Sequence, residues 1–241
     1  MSAPGGKAVA AAAAGGFAYY HAQVPTSQLY GKTICRNPAA GKAIALTYDD
    51  GPNPHWTPRL MEILARHDAR ATFFSIGKWA AREPGLLREL HAAGHAIGNH
   101  TYTHPTMYMK TASQIRDELR RCREAVEASG VTFSEVDGLS LMRPPFGRRR
   151  PGTLRTMREE GYQSVTWSIT CWDWRDAASK ESILKHALKS GKGDVILMHD
   201  GGQFSPTADR NASIHATEVT LEHFAAQGYR FITIPELVAA G

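Results

Sequence analysis

The sequence contains few cysteines and no long uninterrupted hydrophobic run. Its three cysteines, Cys35, Cys122 and Cys171, show no paired spacing and leave one over, so a disulfide framework is not expected. The apolar stretch near the N-terminus, Ala8 to Tyr20, is interrupted by two glycines and dominated by small residues. It is too short to be a clear membrane-spanning helix.

That same stretch is preceded by one cation, Lys7, and resembles a weak signal-peptide core without a clean cleavage site. A loosely packed arm is the alternative. We therefore predict an N-terminal arm, with a weak signal or anchor remnant, at residues 1–41 and one folded domain at 42–241. A secreted or cell-envelope location is favoured, with a cytoplasmic location as the alternative.

The charge balance is basic without being extreme. The 241 residues are 42% hydrophobic and 21% charged, as in soluble globular proteins, and carry a formal charge of +5. This charge suits anionic partners, including an acidic cell-envelope polymer. There is no zinc-finger spacing or RNA-binding aromatic signature, and the run Arg148–Arg150 is short and interpreted as a solvated face. We predict no nucleic acid partner and no stable protein partner.

Short β-type runs alternate with amphipathic helical segments after Gly41, which is typical of βαβ units and a parallel sheet. About seven such repeats favour a (β/α) barrel over an open sheet. The predicted strands are Ala43–Tyr48, Ala71–Ile76, Ala96–Asn99, Ser140–Arg143, Ser164–Ile169, Asp194–Met198 and Phe231–Ile234. The predicted helices lie around 57–67, 86–93, 113–129, 153–160, 182–188 and 217–227.

Ionisable residues follow most of these strands. The carboxyl ends of parallel barrel strands converge on one face, where active sites are built. Several separate strands therefore deliver charged groups to a single rim: Asp49 and Asp50, then His100 and His104, Arg143, Asp173, and His199.

The segment "HTYTH" spaces His100 and His104 by four residues, so that one helical turn would place both imidazoles on the same side. With a carboxylate from another strand they form a credible three-ligand metal site of the open, catalytic type. Zinc or a similar divalent ion is favoured. The non-haem iron triad has the same ligand types and is the runner-up; two unrelated structural histidines are the further alternative.

The adjacent pair Asp49 and Asp50 ends the first predicted strand. Two like charges this close disfavour joint ionisation unless a cation lies nearby. A solvated turn is the simple explanation. With a metal site at the same rim, one acid can bind the ion while the other acts as a general base, held by a bidentate contact with Arg143.

Five ordered motifs resemble those of the polysaccharide deacetylases, the NodB homology domain of carbohydrate esterase family four. They are "TYDDGP" at 47–52, "HTYTH" at 100–104, "RPPFG" at 143–147, "DW" at 173–174 and "LMH" at 197–199. The resemblance covers about Lys42 to Leu237, and five motifs in order make chance agreement improbable. It implies a distorted (β/α) barrel that removes acetyl groups from a polysaccharide with the help of Zn²⁺ or another divalent cation such as Co²⁺.

The resemblance also implies a role for each matching residue. The metal ligands would be Asp50, His100 and His104. Asp49 would be the catalytic base oriented by Arg143, and His199 the catalytic acid tuned by Asp173. The Phe146 N–H would stabilise the oxyanion, and Trp174 and Leu197 would line the pocket for the acetyl methyl group.

Two positions depart from the family pattern. Phe146 stands where the family commonly has Tyr, and Thr170 stands where an acid often precedes the Asp-Trp pair. The second departure leaves the loop geometry around Asp173 open. Trp172 is as consistent with a sugar-stacking platform as with a structural role, and Trp167 is predicted to be core.

Three functions compete at this point. The favoured one is a metal-dependent N-deacetylase of N-acetylglucosamine polymers such as peptidoglycan or chitin, acting on an acetylated glycan. The second is an O-acetyl esterase of xylan-like polymers, because the same site would cleave an ester. The third is a carbohydrate-binding module with a dead site, which the complete set of acid, base and ligands disfavours.

Overall fold

The computed structural model describes residues 15–241, so the first part of the predicted signal-like stretch lies outside the described residues. Residues 15–23 are helical. The strands are β1 Ala43–Asp49, β2 Ala71–Ser75, β3 Ala96–Asn99, β4 Glu135–Val136, β5 Leu139–Met142, β6 Tyr162–Ser164, β7 Ile169–Thr170, β8 Val195–His199 and β9 Arg230–Phe231. The helices are α1 Trp56–Arg66, α2 Gly77–Ala80, α3 Pro84–Ala92, α4 Ala112–Glu127, α5 Pro151–Glu159, α6 Lys180–Ala187, α7 Asn211–Ala225 and α8 Ile234–Ala239.

The sheet runs in the order β4-β5-β3-β2-β1-β8-β7, with β6 paired to β5 and β9 paired to β1. All pairs are parallel except β4 with β5. The stretch 162–170 pairs with β5 through β6 and with β8 through β7, so one chain segment bridges the two sides of the sheet. This is the predicted α/β architecture, a distorted (β/α) barrel rather than a regular one.

The core is divided by the sheet into two layers, because alternate residues of a strand point to opposite faces. Along β1, Ile44, Leu46 and Tyr48 pack in the larger cluster, which also contains buried residues of the helices other than α8. Ala43 and Ala45 belong to the smaller cluster, with Leu197 and Trp167. All seven residues of β1 are buried, as expected for a parallel strand covered on both faces.

The helix α4 illustrates how the sequence dictates a helix. Thr111 and Gln114 form a capping box at its start. The predicted inward stripe is confirmed, since Ile115, Leu119, Cys122 and Val126 are all buried. The helix thereby packs one face on the sheet and leaves its arginines on the other.

The predicted strand Ser164–Ile169 is wrong in its middle. The chain pairs with β5 up to Ser164 and with β8 from Ile169, and between them it turns from one neighbour to the other. Val165 instead forms an isolated bridge with Ile34. The last predicted strand is also too long: pairing ends at Phe231, and Thr233 caps α8 by accepting from the Glu236 N–H.

The described residues before β1 are packed on the barrel. The side chain of Arg149 lies within hydrogen-bond distance of the carbonyl oxygens of Val24, Pro25 and Ser27, at 3.0, 2.8 and 2.8 Å. Arg149 is 1% exposed, so the interpretation of the arginine run as a solvated face is wrong for its central member. Among the described residues, no helix has the length and hydrophobicity that are needed to span a bilayer.

Candidate active site

The rim at the carboxyl ends of the strands brings together every ionisable residue predicted for the site. Asp49 and His199 are register partners on neighbouring strands β1 and β8. His100 follows β3, Arg143 follows β5, and Asp173 follows β7. The parallel register of the sheet therefore places these side chains at one level, as the sequence predicted.

Asp50, His100 and His104 form a cluster whose ligand atoms all lie within 4.8 Å of one another. Asp50 Oδ1 lies 3.5 Å from His100 Nε2 and 3.2 Å from His104 Nε2. This carboxylate oxygen is buried and has no hydrogen-bond partner among the described residues. Such an atom is costly unless a ligand satisfies it, and two imidazoles with one carboxylate are a typical donor set for a divalent metal.

The protonation of the two histidines fits metal binding. Burial lowers the pKa of His100 to about 3, and burial also lowers the pKa of His104. Both imidazoles are therefore neutral at physiological pH and offer a lone pair. His100 Nδ1–H donates a hydrogen bond to the Arg143 carbonyl oxygen at 2.8 Å, and this leaves the unprotonated Nε2 to face Asp50.

The two histidines do not lie on a helix, so the helical-turn explanation of their spacing is wrong. The segment from His100 to His104 is a loop in which Thr101 and His104 have φ values of 65° and 61°. Glu118 of α4 holds this loop by accepting from the N–H groups of Tyr102 and Thr103 and from the Thr103 hydroxyl. The left-handed residues turn both rings toward Asp50.

Asp49 is paired with Arg143 by a single contact of 2.7 Å rather than by the predicted bidentate one. The same Arg143 nitrogen also donates to Thr47 Oγ1, and the other terminal nitrogen donates to the Thr166 carbonyl oxygen. Arg143 is fully buried. Burial raises the pKa of Asp49 against the opposing charge of Arg143, and a raised pKa makes the carboxylate a stronger proton acceptor.

Asp173 and His199 form a second buried pair. Asp173 Oδ1 lies 2.9 Å from His199 Nδ1, and Oδ2 accepts from the His199 backbone N–H at 2.7 Å. Oδ2 also accepts from the Ser213 hydroxyl at 2.8 Å. Burial opposes the charged form of His199, but the Asp173 carboxylate outweighs it and raises the pKa of His199. Burial likewise disfavours ionised Asp173, and His199 outweighs it, so that the pKa of Asp173 is lowered.

The predicted pocket residues lie around these groups. Phe146 is 44% exposed, has a φ of 61°, and packs its ring 4.8 Å from that of His104. The 3₁₀ turn at Pro145–Gly147 is closed by the Gly147 N–H donating to Pro144, a bond that does not use the Phe146 N–H. Trp174 packs 5.1 Å from the His199 ring. Leu197 is two residues before His199 on the same face of β8 and is 2% exposed, so it lies beneath the rim.

The departures at the fourth motif leave the Asp173–His199 pair intact. The Thr170 hydroxyl accepts from Trp167 Nε1 at 2.7 Å, and Trp167 is buried as predicted. Trp172 is 38% exposed and has a φ of 57°, which is rare for a bulky residue. Of the seven non-glycine residues with positive φ in the described chain, five belong to the motif loops: Asp50, Thr101, His104, Phe146 and Trp172. Backbone strain is concentrated where side chains must converge.

Sequence reasoning missed several supporting residues. Ser213 and Glu118 act through contacts with residues distant in sequence, and no local signal reveals them. Thr47 stands in the first motif, but nothing in the sequence indicates its contact with Arg143. Asp200, next to His199, is buried and packs against Gly51, where a Cβ would lie 2.2 Å from its carboxylate. Burial raises the pKa of Asp200 to about 7. The one sequence feature that pointed to Asp200 is its place directly after His199 in "LMHD".

Comparison with known proteins agrees with this geometry. A family model described as polysaccharide deacetylase matches residues 36–165, more than half of the chain. The chain belongs to the polysaccharide deacetylase family.

Its relatives in this family share most of their length with it. A peptidoglycan-N-acetylglucosamine deacetylase of Bacillus cereus is 38% identical over 202 residues, covering 82% of this chain and 88% of the relative. A chitooligosaccharide deacetylase of Sinorhizobium fredii is 36% identical, covering 76% and 84%. The solved structure of a family 4 carbohydrate esterase from Streptomyces lividans in complex with acetate superposes with a TM-score of 0.71 at 30% identity, covering 81% of this chain and 95% of that one.

Proposed function

We propose that this polysaccharide deacetylase hydrolyses the acetamido group of N-acetylglucosamine units in a glycan and releases acetate. The observation that carries the proposal is the position of the unpartnered Asp50 Oδ1 between two neutral imidazoles, next to the Asp49–Arg143 pair. The relatives named as peptidoglycan and chitooligosaccharide deacetylases support the same reaction class.

The cofactor we propose is Zn²⁺, or another divalent cation such as Co²⁺, held by Asp50, His100 and His104. When bound there, such an ion supplies Lewis-acid chemistry that lowers the pKa of a water and polarises the acetyl carbonyl. The three side chains fit it, because each offers a lone pair to the same small volume.

The proton transfers fall to two residues of this chain. Asp49 accepts the proton of the attacking water, and Arg143 together with Thr47 fixes the orientation of its carboxylate. His199 donates a proton to the departing amine, which is a poor leaving group without one. The raised pKa of His199 keeps the imidazole protonated closer to neutral pH, and Asp173 provides that shift.

The remaining groups position the acetyl group. The Phe146 N–H donates to the oxygen on which negative charge develops, an interaction whose loss typically costs on the order of 100-fold in rate. Trp174 and Leu197 surround the methyl group. Trp174 packs against the His199 ring, and Leu197 lies beneath His199 on β8. The methyl group and the leaving nitrogen would therefore both lie close to His199.

The test is acetate release from chitooligosaccharides by the chelated protein, before and after zinc or cobalt is added back. Metal-restored release is expected. No release from chitooligosaccharide or peptidoglycan, with one metal equivalent bound, would contradict the proposed reaction. Parallel assays on an acetylated xylan separate the O-acetyl esterase alternative, which requires faster release from the ester than from the amide substrate.

The proposed location is the cell envelope or the exterior, because polymeric N-acetylglucosamine substrates lie there. Fractionation of the native host with an antibody against the chain tests this. Recovery only in the cytoplasmic fraction would contradict it.

A further inference from the structure

Asp200 is a buried carboxylate beside the site that the proposed mechanism does not use. It is 1% exposed and directly follows His199 at the end of β8. Its Oδ2 accepts a hydrogen bond from the Thr57 hydroxyl at 2.5 Å, whereas its Oδ1 has no hydrogen-bond partner among the described residues. Burial of an incompletely paired carboxylate costs free energy. Stability alone therefore does not explain an aspartate at this position.

The Asp200 carboxylate packs against the turn that follows Asp50. A Cβ at Gly51 would lie 2.2 Å from Asp200 Oδ2 and 2.5 Å from Oδ1, so the carboxylate occupies the volume that a side chain at position 51 would need. Thr57 extends this contact along the chain, because its hydroxyl oxygen also accepts from the Asn53 N–H at 2.9 Å. Together, Asp200 and Thr57 hold the turn from Gly51 to Asn53.

The backbone of residues 200–201 contacts the same turn. The N–H groups of Asp200 and Gly201 donate to the Asp49 carbonyl oxygen at 3.3 and 3.4 Å. A Cβ at Gly201 would lie 2.1 Å from the Asp50 carbonyl oxygen, so this close approach requires a residue without a side chain. Asp50 itself has a φ of 70°, a left-handed conformation that a non-glycine residue keeps only when its surroundings impose it. The segment 200–201 supplies such surroundings.

We propose that Asp200 is a positioning residue for the metal ligand Asp50. The Asp200 carboxylate and its hydrogen bond with Thr57 keep the turn in the conformation that directs Asp50 toward the two imidazoles. This inference rests on the proposed function, because it takes Asp50 as a ligand. Asp200 is not a member of the three-residue cluster that could hold the ion. Its removal should nevertheless weaken metal binding, because outer partners of a metal ligand typically change affinity by about 10- to 100-fold.

The experiment measures the zinc dissociation constant of the chelated, folded protein by titration against a competing chelator. Asp200→Ala should raise this constant by about 10- to 100-fold. Thr57→Val keeps the shape of the side chain, removes the hydroxyl and should raise the constant in the same direction. Because the two side chains act as one unit, the double variant should bind zinc no more weakly than the weaker single variant.

Conservative variants separate position from charge. Asp200→Asn retains the shape of the side chain and an acceptor oxygen for Thr57, and it should retain most of the wild-type zinc affinity. Thr57→Ser retains the hydroxyl and should do the same. Gly201→Ala disturbs the turn from its other side, because the new methyl group would displace the Asp50 carbonyl oxygen. It should weaken zinc binding although Asp200 is unchanged.

Asp194→Ala is the matched control. Asp194 is also a buried aspartate, and it accepts from the Ser168 hydroxyl and from the Gly191 N–H, at 2.8 Å each. It precedes β8, at the end of that strand opposite the rim. Its substitution should lower the melting temperature and leave the zinc dissociation constant unchanged. A purely stabilising role for Asp200 would give this same pattern.

Two results would overturn the inference while the proposed function stands. One is a wild-type zinc dissociation constant in both Asp200→Ala and Thr57→Val. The other is an equal loss of affinity in Asp200→Asn and Asp200→Ala, which would show that charge rather than position matters. Failure of the wild-type protein to bind one equivalent of zinc would instead overturn the metal site on which the proposed function depends. The two failures are therefore distinguishable.

Discussion

The two halves of the site differ in how completely the protein satisfies its own polar atoms. In the metal-side cluster, Asp50 Oδ1 and His104 Nδ1 are buried without a hydrogen-bond partner among the described residues. In the acid-side pair, both Asp173 oxygens accept hydrogen bonds, from His199 and from Ser213. The metal-side cluster therefore contains buried polar atoms without a partner, whereas both carboxylate oxygens of the acid-side pair have partners within the protein.

This difference separates two uses of buried charge. An unpartnered buried atom costs free energy and so marks a place where a ligand belongs. A carboxylate whose two oxygens both accept hydrogen bonds can fix the orientation and the pKa of a neighbouring side chain without binding a ligand. We therefore predict that substitutions in the Asp50, His100 and His104 cluster change metal content, whereas substitutions in the Asp173–His199 pair change the pH dependence of turnover.

The largest effect is expected from Asp50→Ala. It removes a ligand atom, so metal content and turnover should fall together, with turnover falling on the order of 1,000-fold or more because several kcal/mol of charge stabilisation are lost. Asp49→Ala is the matched variant and should keep metal while losing turnover. Metal analysis of both purified proteins checks this. Full metal occupancy in Asp50→Ala would show that the two adjacent roles are assigned the wrong way round.

His199→Ala should lower turnover by about 100- to 10,000-fold without loss of metal, as expected when a general acid is removed. His95→Gln is the control, since His95 is also buried but accepts from the Ala71 N–H away from the rim. It should affect thermal stability rather than turnover. Equal turnover in both variants would remove His199 from the mechanism.

Asp173→Asn should shift the pH profile. The Asp173 charge raises the pKa of His199 against the effect of burial, so removal of that charge lowers the pKa. Because His199 must be protonated to donate, the alkaline limb of kcat should move to lower pH, and the loss should be larger at pH 8 than at pH 6. A uniform loss across the profile would indicate a purely structural role for Asp173.

The smallest effect is expected from Ser213→Ala, which removes one of three hydrogen bonds to Asp173. A loss of about 1 kcal/mol corresponds to roughly fivefold in kcat, because Ser213 helps to hold the Asp173 carboxylate that orients His199. Thr220→Ala on the same helix is the control, because the Thr220 hydroxyl donates only to the Ala216 carbonyl oxygen. Identical kinetics in both variants would show that the third bond to Asp173 is dispensable.

Sequence reasoning succeeded where local pattern decides structure. Runs such as 96–99 are short, largely apolar and followed by an ionisable residue, and the parallel register then brings the ionisable residues of several strands together without further information. The prediction failed where contacts between residues far apart in the sequence determine the conformation of a loop or the orientation of a side chain. The loop from His100 to His104 depends on Glu118, and the orientation of Asp173 depends on Ser213, forty positions along the chain. The spacing of the two histidines was informative, but its helical explanation was wrong.

The arginine run shows the same limit. Three consecutive cations are usually solvated, and only the fold shows that Arg149 is buried because carbonyl groups of a preceding segment surround it. Exposure of a charged residue depends on what packs over it, which composition does not specify.

The hydrogen bonds from the Arg149 side chain to the carbonyl groups of Val24, Pro25 and Ser27 limit how far the N-terminus of this protein can be shortened. The Arg149 N–H also donates to the Ala22 carbonyl oxygen. Removing these acceptors would leave the Gly147 carbonyl oxygen, at 2.8 Å, as the one remaining acceptor of the guanidinium among the described residues. We therefore expect a chain that lacks Ala22 and the segment after it to be less stable than one that retains them. A shortened chain for crystallisation or secretion should begin no later than that residue.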